Sequence, residues 1–248
     1  MSKPRVAIFD FACCEGCQLQ IVDMEEEIID LLSVINPVEW REAMSEQSEQ
    51  FDISIIEGSI TRVEDEERLR SIREKSKVLV ALGACAVTGG VNKLKNNFDL
   101  DDVKQFVYKD DAKMPHLNTS KTKAVCEVVK VDYNVPGCPI DVDEFAYIVR
   151  CLAIGKEPDL PTYSVCVECK KKGNICRFEY GELCLGPITL AGCGAKCPTE
   201  SAACFGCRGW VEDPNVNAAK DVLEEYGLTV DDLKSKMKLF GSQQENTI

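Results

Sequence analysis

Fifteen of the 248 residues are cysteine, and their placement limits what this chain can fold into more than any other feature. Eight of them fall between Cys166 and Cys207, in a stretch rich in glycine and proline with little helical or strand periodicity. An odd count fits poorly with a closed set of disulfides, and in a reducing compartment cysteines serve as thiolate ligands instead. Pairs two residues apart, such as Cys166-x2-Cys169 and Cys204-x2-Cys207, can place both sulfurs on one metal centre, a device shared by zinc and iron-sulfur sites. A segment of this kind is expected to fold around its inorganic group, as small metal domains do, rather than around an ordinary apolar core.

The residues before it read differently. A short apolar strand spans 5–12, and a helix is expected over 18–35, where Ile21, Ile28, Leu32 and Ile35 recur at helical spacing. Further strands are expected at 38–43, at 52–60, which is nearly continuous in apolar residues, and at 78–82. An acidic helix covers 64–75, the stretch 88–124 carries no clear period, a fifth strand covers 127–134, and a helix runs over 139–154 with Pro139 at its first position. Strands alternating with helices predict an α/β domain with a doubly wound parallel sheet. The chain therefore divides into 1–155, the sheet domain, and 156–248, an irregular domain stabilised by metal clusters, with helical signals at 216–226 and at the Thr229 cap.

The remaining chemistry collects at one place in that sheet. Cys14-Glu15-Gly16-Cys17 follows the first strand, Cys85 follows the strand at 78–82, and Cys138 follows the fifth. Ligands of open parallel sheets gather at the carboxyl ends of strands, and helix N-termini favour anions, such as a cluster with four thiolates. These four thiols are expected to converge on one sheet edge. A flavin phosphate would need small hydroxyl and glycine residues where this loop has cysteine and glutamate. A second set is Cys166, Cys169, Cys176 and Cys184, and a third is Cys193, Cys197, Cys204 and Cys207. Three sets of four predict three 4Fe-4S clusters; zinc is the rival for the later pairs but does not explain the first set. Cys13, Cys126 and Cys151 are expected to be packing residues. His116, the sole histidine, is expected in an exposed loop, and Glu57 ends a buried strand at the same edge as the first set.

The formal net charge of −13 argues against nucleic acid and anionic membrane surfaces as partners. The acidic runs Glu25-Glu26-Glu27 and Glu64-Asp65-Glu66-Glu67 read as solvated helix faces, and Lys170-Lys171-Lys172 as a surface loop. No stretch approaches the roughly 20 apolar residues of a membrane span, and the first residues lack the apolar region of a signal peptide. A cytoplasmic protein with a short tail at 241–248 is expected.

The ordered cysteines resemble the small, electron-transferring subunit of nickel-iron hydrogenases, from Cys14-Glu15-Gly16-Cys17 through Gly83-Ala84-Cys85 and Gly137-Cys138-Pro139 to Cys184-Leu185-Gly186-Pro187 and Cys204-Phe205-Gly206-Cys207. The pattern is most similar to the cytoplasmic, multi-subunit members of the sulfhydrogenase delta type. The resemblance implies a flavodoxin-like domain with a proximal 4Fe-4S cluster on Cys14, Cys17, Cys85 and Cys138. It further implies a distal cluster on Cys166, Cys169, Cys176 and Cys184, and a medial one on Cys193, Cys197, Cys204 and Cys207. Cys166 stands where periplasmic members have histidine, and Cys197 where proline leaves their medial cluster with three irons. Homologues in respiratory complex I keep only the first site, so the later cysteines argue against that branch.

The implied role is an oxidoreductase subunit that performs no bond chemistry itself. Hydrogen would be split at a nickel-iron centre on a large subunit, and electrons would pass to diaphorase-type flavin and iron-sulfur subunits that reduce NAD(P) or sulfur compounds. Delivery to a deazaflavin coenzyme or a heterodisulfide-reductase partner is the alternative acceptor. A hydrogen-sensing module and a zinc-scaffolded interaction protein are the readings from other classes.

Overall fold

The computed structural model describes residues 3–109, 118–212 and 216–241; His116 and residues 242–248 lie outside them. Five strands form one parallel sheet in the order β2-β1-β3-β4-β5: β1 Arg5–Asp10, β2 Asn36–Trp40, β3 Ile53–Glu57, β4 Val78–Leu82 and β5 Tyr133–Val135. This is the flavodoxin-like order, in which the chain winds to both sides of the sheet. Helices α1 Gly16–Val22, α2 Glu26–Val34, α3 Val63–Lys75, α4 Gly83–Thr88, α5 Leu100–Tyr108 and α6 Val142–Ala153 accompany it.

Alternation along the strands explains why both faces are covered. Val6 and Ile8 of β1, Ile53 and Ile55 of β3, and Val80 and Leu82 of β4 pack with Ile21, Leu31, Phe145 and Ile148 of α1, α2 and α6. Their neighbours Ala7, Phe9, Ile56, Leu79 and Ala81 point the other way, against Leu69 and Ile72 of α3 and Ala86 of α4. The strand ends bearing cysteines are thus fixed from two sides.

Three expected elements differ in extent. The helix over 18–35 is two, broken before α2 by Glu25 at φ 52. Glu26 and Glu27 then fall in the first turn of α2, where acidic side chains complement the helix dipole, and all three glutamates of the run are exposed, as a solvated helix face requires. The strand expected at 127–134 shrinks to three residues; a 3-10 turn occupies Val125–Glu127, and Val128, Val129 and Val131 pack against a sheet face without pairing as strand. Pro139 does not open a helix. It follows a cis peptide from Cys138, and α6 starts at Val142, capped by the Asp141 side chain on the Glu144 amide.

The cysteine-rich segment contains α7 Val165–Lys171, α8 Lys196–Thr199, α9 Val216–Glu225 and α10 Val230–Met237. The expectation that it lacks an ordinary core is corrected: Val165, Phe178, Leu185, Ile188, Leu223, Leu233 and Met237 form an apolar cluster that also encloses Cys184 and Cys204. The later helices supply what the irregular stretch lacks. Thr229 caps α10 in a reciprocal box with Asp232. Among the described residues no helix is long and apolar enough to cross a membrane.

Candidate functional site

The carboxyl ends of β1, β4 and β5 bring Cys14, Cys17, Cys85 and Cys138 together. The Cys85 thiol is raised to about 12, first by burial and then by the charges of Cys138 and Cys14. Cys17 is pushed above the ordinary thiol range by burial, and Glu57 and Cys138 add to it. Cys138 in turn is raised by burial and by Cys14. Backbone is kept clear of these sulfurs. A Cβ on Gly83 would lie 2.5 Å from the Cys17 Sγ, and one on Gly90 3.0 Å from that of Cys85.

Glu57, buried at the end of β3, does lie here: Oε1 accepts the Cys17 amide at 3.0 Å and Oε2 that of Gln18 at 3.2 Å. The expected help from the first helix terminus is therefore changed, since two of its free amides are taken by a carboxylate rather than left for a bound anion. Glu15, the residue before α1, has φ 60, and its side chain accepts from Gln18 Nε2 at 2.6 Å. The Cys13 thiol turns to the Phe11 carbonyl and to Glu15, and its sulfur with the carboxylates of Glu15 and Glu57 falls within 4.8 Å.

The second set also gathers. Burial raises Cys166 to about 12, with further contributions from Cys184, Cys169 and Cys176. Gly186 faces two of these sulfurs, 3.3 Å from Cys166 and 3.4 Å from Cys184 as measured from an added Cβ. In the third set, burial pushes Cys207 up to about 11 and the charges of Cys193 and Cys197 raise it further. Cys204 reaches about 12 by burial, with Cys184 and Cys207 adding to the effect. Glu168, between the first pair of the second set, accepts the amides of Gly192 at 2.9 Å and Ala195 at 3.2 Å and so orders the loop of Cys193.

The three sets meet end to end. Cys207 lies close enough to Cys138 for that thiolate's charge to raise it, and the Cys204 amide donates to the Cys184 Sγ at 3.2 Å. Cys14 of the first set and Cys176 of the second are exposed, as is Cys138 at the junction. The remaining cysteines stand apart: Cys126 is exposed on a 3-10 turn, and Cys151 is buried on α6.

All fifteen cysteines are unpaired thiols, so groups of four sulfurs lie together without disulfides. Each group offers four soft thiol donors, and in the first two sets glycines leave room beside the sulfurs, which fits an iron-sulfur cluster. Thiols raised this far must lose protons before they can ligate, so cluster loading at neutral pH is coupled to proton release. Arg208, next to Cys207 and 3% exposed, is a polar residue that sequence reasoning passed over; a lone arginine beside a ligand carries no pattern.

Comparison with known proteins matches residues 14–152 to the family model described as NADH ubiquinone oxidoreductase, 20 Kd subunit. The Sulfhydrogenase 2 subunit delta of Pyrococcus furiosus is 34% identical over 238 residues, covering 95% of this chain and 98% of that protein. A subunit of the F420-non-reducing hydrogenase of Methanocaldococcus jannaschii is 32% identical, covering 95% of this chain and 92% of its own. Among solved structures, a chain of an NAD+-reducing [NiFe]-hydrogenase in the H2-reduced state superposes with a TM-score of 0.59 at 27% identity, covering 64% of this chain and 96% of that one.

Proposed function

The chain belongs to the family of the 20 Kd subunit of NADH ubiquinone oxidoreductase and the nickel-iron hydrogenase small subunits, and from that premise we propose that it relays electrons on three 4Fe-4S clusters. It is a subunit of an oxidoreductase complex that works with a large hydrogenase subunit and carries iron-sulfur clusters. In our reading Cys14, Cys17, Cys85 and Cys138 hold the proximal cluster, Cys193, Cys197, Cys204 and Cys207 the medial one, and Cys166, Cys169, Cys176 and Cys184 the distal one. Each cluster, when bound, takes up and passes on one electron. The protein's own contribution is to fix their spacing and to set their potentials through burial, charge and hydrogen bonds to sulfur.

The observation that carries this order is the pair of junctions between sets. Cys138 meets Cys207 and Cys204 meets Cys184, which supports a third set standing between the first and second although it comes last in sequence. The exposed Cys14 and Cys138, together with the exposed Leu19 and Val22 of α1, support seating of the large subunit at the sheet edge. Exposed Cys176, beside exposed Ile175 and Tyr180, supports the second set as the exit. The division into domains 1–155 and 156–248 and a cytoplasmic location belong to the same reading.

For the acceptor we favour a flavoprotein partner of the diaphorase type that reduces NAD(P). The likeness to a chain of an NAD+-reducing enzyme supports it, and the sulfhydrogenase name of a relative keeps sulfur compounds as a competitor; a deazaflavin coenzyme or a heterodisulfide-reductase partner is the alternative acceptor. The native complex, isolated anaerobically, should contain nickel, flavin and about twelve irons per copy of this chain, four for each cubane, and should reduce NAD(P) with hydrogen. Zinc in place of iron would overturn the cluster assignment. Iron and nickel present with no NAD(P) reduction would overturn only the acceptor.

A further inference from the structure

Arg208 is the most enclosed cation in the cysteine-rich segment, with its side chain 2% exposed. Its guanidinium ties three parts of the protein together. Nε donates to the carbonyls of Leu190 and Ala191 at 3.2 and 3.0 Å, in the loop that leads to Cys193. Nη1 donates to the Pro136 carbonyl at 2.7 Å, two residues before Cys138. Nη2 pairs with Glu144 Oε1 at 2.7 Å, on the first turn of α6, the helix that follows Cys138. The other Glu144 oxygen is buried without a protein partner among the described residues, so the carboxylate is held there by this one arginine.

The space around the pair is built for it. A Cβ on Gly192 would fall 2.3 Å from Arg208 Nη2 and 2.4 Å from Glu144 Oε1, so the loop before Cys193 passes over the pair only as glycine. A second tie runs alongside: Lys196, beside Cys197, pairs with Asp141 at the cap of α6 at 2.8 Å. The fork of arginine suits this task because it offers five donors in one rigid plane and stays charged at any relevant pH. Lysine has a single point of attachment and cannot serve two loops and a carboxylate at once.

From this geometry we propose that Arg208, clamped by Glu144, is a positioning residue that fixes the gap between the proximal and medial cysteine sets. Its covalent neighbour is Cys207 of the medial set, and its own Nη1 holds the Pro136 carbonyl, two residues before Cys138 of the proximal set. The clamp therefore joins the loop of the proximal set to the loop of the medial set without hydrogen-bonding any of their sulfurs. This rests on the assignment of clusters to those two sets.

The test uses the intact hydrogenase complex with Arg208→Met, and with the double change Arg208→Met and Glu144→Met. Removing one member of a buried ion pair strands the other charge and threatens the fold, whereas replacing both with apolar side chains of similar size is often neutral for stability; the double variant thus keeps the test alive if the single one fails to fold. The readout is the magnetic interaction between reduced proximal and medial clusters in electron paramagnetic resonance, together with iron content. We expect iron to stay at the wild-type level while the interaction splitting weakens or is lost, and the transfer of electrons from proximal to medial to slow. Full iron with an unchanged splitting in the folded double variant would overturn the inference. Wild-type complex lacking either of the two clusters would instead overturn the assignment on which it rests.

Discussion

Glu57 shows how one buried side chain serves both fold and site. Its two oxygens accept the amides of Cys17 and Gln18, which sets the first turn of α1, and its charge raises the thiols of Cys17, Cys85 and Cys138. A negative charge that disfavours thiolate also disfavours adding an electron to an anionic cluster. Glu57→Gln is therefore expected to raise the proximal reduction potential, read by redox titration of the complex; a fall in potential would contradict this account. The cysteine assignments make a paired prediction at the same scale. The Cys13 thiol bonds to Phe11 and Glu15 rather than joining the neighbouring sulfurs, so Cys13→Ser should leave iron content unchanged. Cys197 sits in the first turn of α8, where proline is tolerated because the amide has no helical partner. Cys197→Pro should fold, lose one sulfur ligand and turn the medial cluster into a three-iron form, detected by its resonance signal after oxidation.

At the scale of elements, what could be foreseen was governed by periodicity and chemistry at strand ends. The parallel sheet and the convergence of Cys14, Cys17, Cys85 and Cys138 on its edge followed from apolar strands each ending in a cysteine motif. The clamp of Arg208 and the bracing by Glu168 could not follow, because they join residues far apart in sequence through carbonyls and amides, groups every residue possesses. The valines near 128–131 misled for a related reason: apolarity records burial, and pairing depends on what lies alongside. Two predictions belong here. Gly83 begins α4 at φ +79, with the Cys17 sulfur in the place of its missing side chain. Gly83→Ala should displace that sulfur and reduce iron to about eight per chain, two cubanes of four, whereas retention of all iron would show that α4 can shift. Asp52 ties β1 to the loop before β4 through the Arg5 amide and Lys77, and these partners hold its carboxyl down at about 2 from 3.8. A depressed pKa stabilises the fold above the unfolded value and loses that effect only as pH falls from 3.8 toward 2. With the exposed Lys77 and half-exposed Arg5 screened by solvent, Asp52→Asn should thus cost on the order of 1 kcal/mol, and the difference in denaturant midpoint from wild type should stay flat between pH 8 and pH 5.

The whole molecule joins two kinds of interior. The sheet is packed on both faces by apolar side chains that owe nothing to metal, and burial of this sort supplies most of the stability of a domain. The later segment has one modest apolar cluster, and two of its buried members are Cys184 and Cys204, expected ligands of adjacent centres. On the proposed assignment, removing the clusters breaks four bonds to sulfur at the rim of the sheet, while the segment loses the bonds that join eight points of an otherwise irregular chain. Regional stability should divide accordingly, since proteins open in cooperative units whose free energies differ. After anaerobic removal of iron with a chelator, amides of β1, β3 and β4 should keep most of their protection from hydrogen exchange, and those of residues 160–212 should lose it. The clamp at Arg208 and the pair Lys196–Asp141 are too few to hold the segment alone, because each must order a loop whose entropy the clusters otherwise offset. Uniform loss of protection across the chain would mean that the sheet needs its rim cluster to fold. Uniform retention would mean that the apolar cluster around Leu185, Leu223 and Leu233 suffices, and the inorganic groups would then serve electron transfer alone.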